Sequence, residues 1–317
     1  MALRVLFMGT PDFAVHSFDA LCEAGYDIVG VVTQPDRPKG RGRELASPPV
    51  KLAAEQRGIP IWQPERIRDD AVIAQLAALE PDMAVTAAYG QLLPRRLLSM
   101  PRLDCVNVHG SLLPRYRGGA PIQRALMAGE TETGVTIMRM AMRLDAGPMF
   151  EKVVVPITSD DNFGTLHDKM AVAGAKLLVD VLPHIANGSV QPVEQEESAA
   201  IYAPILTRDD ERLDWSCGAW TLHNQVRALS PGPGAFTLWK GASLKVLRAT
   251  TASSKPIWDP VGAVVAVDSF GIHVATGNGG VLTLLEVQLA GKRRTSASEF
   301  ARGQRLEPGA IFGKDAD

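Results

Sequence analysis

Short apolar runs alternate along the first half of the chain with stretches in which apolar positions recur every three to four residues. Arg4 to Met8 reads as a buried strand, Gly9-Thr10-Pro11-Asp12-Phe13 as a turn, and Ala14 to Ala24 as a helix. Strands follow over Ile28–Val32, Ile59–Trp62 and Asp82–Ala87, with helices over Pro49–Arg57 and Asp69–Leu79 between them. Such strand–helix alternation predicts a parallel sheet with crossover helices. A fifth strand ends at His109. A helix over Pro121–Ala128, strands over Gly134–Met140 and Met149–Ile157, and a long helix over Phe163–Ala186 complete the region.

The pattern changes near residue 190. Gln191 to Ser198 is polar and acidic and reads as part of a linker. Beyond it come one helix, Cys217–Leu229, and a break at Pro231-Gly232-Pro233-Gly234. Five short strands follow near Ala235–Trp239, Ser243–Ala249, Val261–Val267, Ile272–Ala275 and Val281–Val287. Five strands with glycine-rich turns predict a small barrel of the oligonucleotide-binding type. The expected organisation is a catalytic domain over 1–189, a linker over 190–205 and an OB-like domain over 206–317.

Composition narrows the classes. The chain has 317 residues, 46% hydrophobic and 21% charged, as in ordinary globular proteins. A net charge of −2 leaves nucleic-acid contact to local basic patches. Cys22, Cys105 and Cys217 are odd in number, far apart and without C-x-x-C spacing. That argues against a disulfide framework or zinc site and for a reducing compartment. No signal peptide or long apolar span is apparent, so a cytoplasmic monomer without membrane contact is expected. The first loop lacks G-x-G-x-x-G, which weighs against a dinucleotide-dependent reductase.

Candidate chemistry centres on Asn107-Val108-His109-Gly110. Strand alternation puts Asn107 and His109 on one face at a strand end, where open α/β sheets bind ligands. Taken alone, the pair reads first as two polar residues satisfying one another at a sheet margin. Asp145 sits on a turn after another apolar strand and completes a set if the strands are neighbours. A second candidate is the loop from Gln34 to Glu44, whose prolines and glycines exclude regular structure. It carries Arg37, Lys39, Arg41 and Arg43, either as a solvated loop or as an arm gripping phosphates. Lys292-Arg293-Arg294, Arg302 and Arg305 add basic residues near the C terminus.

Asn107 to Arg115 resembles the signature of folate-dependent formyltransferases. Gly118 to Gln123, Thr133-Gly134-Val135-Thr136, and Leu144-Asp145 with Gly147 are similar to the same family, as are Gly9 to Phe13 and Gln34 to Arg37. Pro148 departs from an acidic residue in many members, and Ser230 to Pro233 lacks an expected tryptophan. The resemblance implies an α/β fold: a Rossmann-like N-terminal domain with a mostly parallel sheet, plus a smaller C-terminal OB-like β-barrel domain. It implies transfer of a formyl group from 10-formyltetrahydrofolate, with no metal, to the α-amine of initiator methionyl-tRNA. On that reading Asn107 and His109 donate to the oxyanion, and Asp145 orients His109 or a water and relays a proton. Ser111, Leu112, Leu113 and Pro114 form a folate-contacting turn, while Arg37, Lys39, Arg41 and Arg43 hold the tRNA. A sugar nucleotide or a purine-precursor ribotide is the alternative acceptor, and an RNA-binding protein with a vestigial catalytic half is the alternative class. The basic loop and appended domain favour tRNA, because a small amine needs neither.

Overall fold

A computed structural model describes residues 3–39, 44–252 and 259–313. The chain forms two compact units. One comprises residues 1–121, 132–156 and 167–203, the other 122–131, 157–166 and 204–317. Val193 to Ala203, read as linker from its polarity, is bonded to the first unit: Val193 pairs with Met149, and Ile201 and Ala203 pair with the backbone of Arg117.

In the first unit, β1 (Arg4–Gly9), β2 (Asp27–Val32), β5 (Ile61–Trp62), β6 (Met83–Ala87) and β7 (Asp104–His109) run parallel, joined by α1 (Asp12–Glu23), α2 (Pro49–Gln56) and α3 (Asp70–Ala77). Antiparallel β8 (Glu132–Arg139) and β9 (Met149–Pro156) extend the sheet, giving the order β5-β2-β1-β6-β7-β8-β9. Every residue of β6 is buried, as a central strand covered on both faces requires. The edge strand β9 instead mixes buried and exposed positions. The long helix spans Phe163–Ala186, as its apolar repeat predicts.

Between β2 and α2, the Gln34–Glu44 loop carries regular structure after all. β3 (Arg37–Lys39) pairs with β4 (Glu44–Ala46), and Pro38 lies opposite Leu45. A two-stranded pair consists only of edges, where alternate N–H groups face outwards and proline is tolerated.

The second unit holds an antiparallel sheet in the order β10-β11-β14-β13-β12, with a short β15 on β14. These strands are β10 (Ala235–Trp239), β11 (Ala242–Ala252), β12 (Val264–Val267), β13 (Ile272–Ala275), β14 (Val281–Leu289) and β15 (Thr295–Ser296). The β10–β11 hairpin closes on Lys240-Gly241, both with positive φ, the conformation that matches strand twist in a two-residue turn. Leu222 and Val226 share one core with Leu244, Ile272, Leu284 and Phe300.

In the same unit, Asp210 accepts from both Arg124 Nη atoms, at 2.6 and 2.9 Å, and from the N–H and hydroxyl of Thr207. The Arg124 fork foremost, then Thr207, holds the Asp210 carboxyl down to about 2. A lowered folded pKa stabilises at pH above the free value of 3.8, and that contribution is lost as pH falls through about 2. Asp210→Asn should therefore cost up to about 2 kcal/mol at neutral pH and almost nothing near pH 2. Urea denaturation of both forms across that pH range checks it.

Candidate active site

The strand order places a topological switch between β1 and β6, because the chain passes from β1 to β2 on one side and later returns to β6 on the other. Ligands bind beyond the carboxyl ends of strands at such a point. There the ends of β1 and β6 are tied together. Thr10 Oγ1 donates to the Tyr89 carbonyl at 3.0 Å, and Gln34 Nε2 donates to the same oxygen at 3.2 Å.

β7 ends alongside them and delivers Asn107 and His109, both buried. Thr86, opposite Asn107 on β6, donates its hydroxyl to Asn107 Oδ1 at 2.8 Å. That bond fixes the amide: its oxygen is taken, and Nδ2 is the face left to donate. His109 Nε2 lies 3.1 Å from the Tyr116 carbonyl. A carbonyl only accepts, so Nε2 carries the hydrogen and the neutral ring keeps its lone pair on Nδ1. Nδ1 faces Asp145 Oδ2 at 3.8 Å.

Asp145 comes from the turn between β8 and β9, on the strand pair that follows β7 in the sheet. Its carboxylate is only 13% exposed and accepts the Gly118 N–H at 2.9 Å. Its backbone is left-handed, with φ of +47°. His109 and Asp145 thus approach one another without a direct hydrogen bond, and Asn107 lies two residues before His109 on the same strand.

The turn after β7 is held from the next two strands. Thr136 Oγ1 donates to the Ser111 carbonyl at 2.7 Å and accepts the Leu113 N–H at 3.1 Å. Lys152 Nζ donates to the Leu113 carbonyl, and burial lowers the Lys152 pKa. Ser111 Oγ turns inward to the Arg115 carbonyl. Ser111 to Pro114 therefore offers a fixed backbone with partly exposed Leu112 and Pro114 side chains. Cys105 is buried, and burial pushes its thiol pKa up, the reverse of a nucleophile's requirement.

The basic loop is seen in part. Arg37 reaches Glu65 at 3.0 Å and stays largely exposed. Lys39 pairs through its backbone with Glu44, while Arg41 and Arg43 lie outside the described residues. Sequence reasoning missed Thr86 and Lys152, and gave Thr136 a place in the resemblance but no role. All three sit on strands, where the signal was a polar residue in an apolar run. Among the described residues no group of His, Cys, Asp or Glu could hold a metal ion, and no helix is long and apolar enough to cross a membrane.

Two family models match the chain. One described as formyl transferase matches residues 2–182, and one described as formyl transferase, C-terminal domain, matches residues 205–305. The chain belongs to the formyl transferase family. It is 51% identical to the methionyl-tRNA formyltransferase of Bacillus licheniformis over 312 residues, 98% of each chain. It is 50% identical to that of Bacillus subtilis over 310 residues, again 98% of each. Among solved structures it resembles WlaRD, a sugar 3N-formyl transferase, with a TM-score of 0.68 at 16% identity, covering 92% of this chain and 100% of that one. An N-formyltransferase from Helicobacter canadensis gives 0.65 at 16% identity, covering 90% and 99%. These two likenesses establish the formyltransferase fold.

Proposed function

We propose that this chain transfers the formyl group of 10-formyltetrahydrofolate to the α-amino group of initiator methionyl-tRNA, giving N-formylmethionyl-tRNA for translation initiation. The observation that carries this reading is the identity of about half the residues, along 98% of both chains, with methionyl-tRNA formyltransferases. Free thiols at Cys22, Cys105 and Cys217 fit a cytoplasmic setting.

The site chemistry supports the same transfer. Free α-amines have a pKa of about 8, and the adjacent ester of an aminoacyl group lowers it, so much of the acceptor is neutral and nucleophilic near pH 7. Asn107 Nδ2 donates to the formyl oxygen as the amine nitrogen bonds to the formyl carbon and negative charge grows on that oxygen. His109 Nδ1 takes the proton that the attacking nitrogen must lose and returns one to the departing folate nitrogen. This assigns His109 proton transfer rather than oxyanion donation, because its one N–H is engaged by Tyr116. Asp145 faces the imidazolium formed between the two transfers. Ser111 to Pro114 contacts the folate through backbone and apolar wall, and no acyl-enzyme is required.

For the acceptor, the reading assigns Arg37, Lys39, Arg41 and Arg43 to the tRNA end and the exposed Lys292, Arg293, Arg302 and Arg305 to broader phosphate contact. Replacing Arg41 and Arg43 together with alanine should weaken tRNA binding roughly tenfold or more and flatten its salt slope by about one per arginine. Folate binding should stay unchanged. Filter binding at several salt concentrations checks this, alongside folate titration.

The reading itself is tested by mixing the protein with formyl-labelled 10-formyltetrahydrofolate and either charged initiator tRNA or an amino-sugar nucleotide. Label should appear on the methionyl group. Label only on the sugar would overturn the proposed acceptor.

A further inference from the structure

Asp145 is held in the left-handed region, which a non-glycine residue enters at some cost and keeps only where its surroundings enforce it. The enforcing contacts come from fifty residues further along the chain. Gln195 Nε2 donates to two carbonyls of the turn, Asp145 O at 2.8 Å and Gly147 O at 2.7 Å. Its Oε1 accepts from Arg117 Nε at 3.0 Å, so the amide orientation is fixed. Arg117 is buried, with Nη1 on Glu197 Oε2 and its Nη2 without a hydrogen-bond partner. The Glu197 carboxyl is held below its usual range, first by Arg117 and then by Arg143.

These contacts close a ring. From Arg117 the side chain leads through Gln195 to the Asp145 backbone. Through its neighbour Gly118, whose N–H binds the Asp145 carboxylate, the main chain leads back. Gly118 has φ of +131°, and a Cβ there would strike the Ala203 carbonyl, so this return path requires glycine. Backbone and carboxylate of one residue are thus pinned from two directions that share a single anchor. Turnover depends sharply on such placement, since a misplacement of about 1 Å can cost 10²-fold.

We propose that Gln195, itself held by Arg117, is a positioning residue that fixes the Asp145 carboxylate opposite His109. The proposal rests on the reading of Asp145 as a site residue. Its test compares Gln195→Ala and Gln195→Glu, each alone and on an Asp145→Asn background, in steady-state assays with both substrates. Gln195→Glu matches the glutamine in shape and keeps the acceptor for Arg117 but removes both donors to the turn. Both single variants should lower kcat roughly ten- to a hundredfold, with either KM within about twofold, because the interaction acts on the reacting geometry and not on binding. On the Asp145→Asn background the Gln195 substitutions should cost less than about twofold, since the group they position is already gone.

If Gln195→Glu keeps wild-type kcat while Asp145→Asn loses it, Gln195 positions nothing and the proposal fails alone. If the two losses multiply, Gln195 acts independently of Asp145 and the proposal again fails. If Asp145→Asn is itself fully active, the reading of Asp145 falls and takes the proposal with it.

Discussion

Asn107→Ala should slow single-turnover formyl transfer roughly 10²–10³-fold, the usual cost of one oxyanion donor. The protein should stay folded, because the Val106 carbonyl lies 3.1 Å from Thr86 Oγ1 and takes its one hydroxyl hydrogen when the amide goes. Asn107→Asp should be at least as slow, since it keeps the shape but puts a carboxylate where negative charge develops. Thr86→Val should have a smaller effect of the same kind, as the amide loses the contact that fixes its orientation. Rapid-quench measurement at saturating folate separates these losses from changes in binding.

Gly134→Ala should be among the most damaging single methyls in the first unit. Gly134 lies in β8 opposite Val154, and a Cβ there would overlap the Val153 carbonyl of β9 and come within 2.6 Å of Leu112 Cδ2. Backbone on one side cannot yield without breaking the β8–β9 ladder. The substitution should cost about 3 kcal/mol or more. Whatever strain is relieved by moving Leu112 should appear as weaker folate binding, because that residue belongs to the Ser111–Pro114 turn. A lower urea midpoint together with a raised KM for folate checks both halves.

The elements most readable in the chain were those whose burial pattern is simple. Strands covered on both faces are continuous apolar runs, and the long helix repeats its apolar face from Phe163 to Ala186. The 297–304 helix escaped notice because it is short and polar, although Ser296 and Glu299 carry a legible capping signal: the Ser296 hydroxyl accepts the Glu299 N–H. In the candidate site, the placement of Asn107 and His109 at a strand end was legible from alternation. The contacts of Thr86 and Thr136 were not, since they depend on which strands become neighbours, and that is fixed by packing across the whole sheet. Gln195 had no periodic pattern around it, and its polarity reads as solvent exposure until the Asp145 turn is placed beside it. The β3–β4 pair was hidden by Pro38, which argues against a strand except at an edge.

A structure of the protein with a 10-formylfolate analogue whose formyl group is bonded through carbon, and so cannot leave, measures the decisive distance. The account predicts the formyl oxygen about 3 Å from Asn107 Nδ2, with His109 Nδ1 on the acceptor side of the carbonyl carbon. A formyl oxygen directed away from Asn107, or an Asn107 amide turned so that its oxygen faces the ligand, would contradict it.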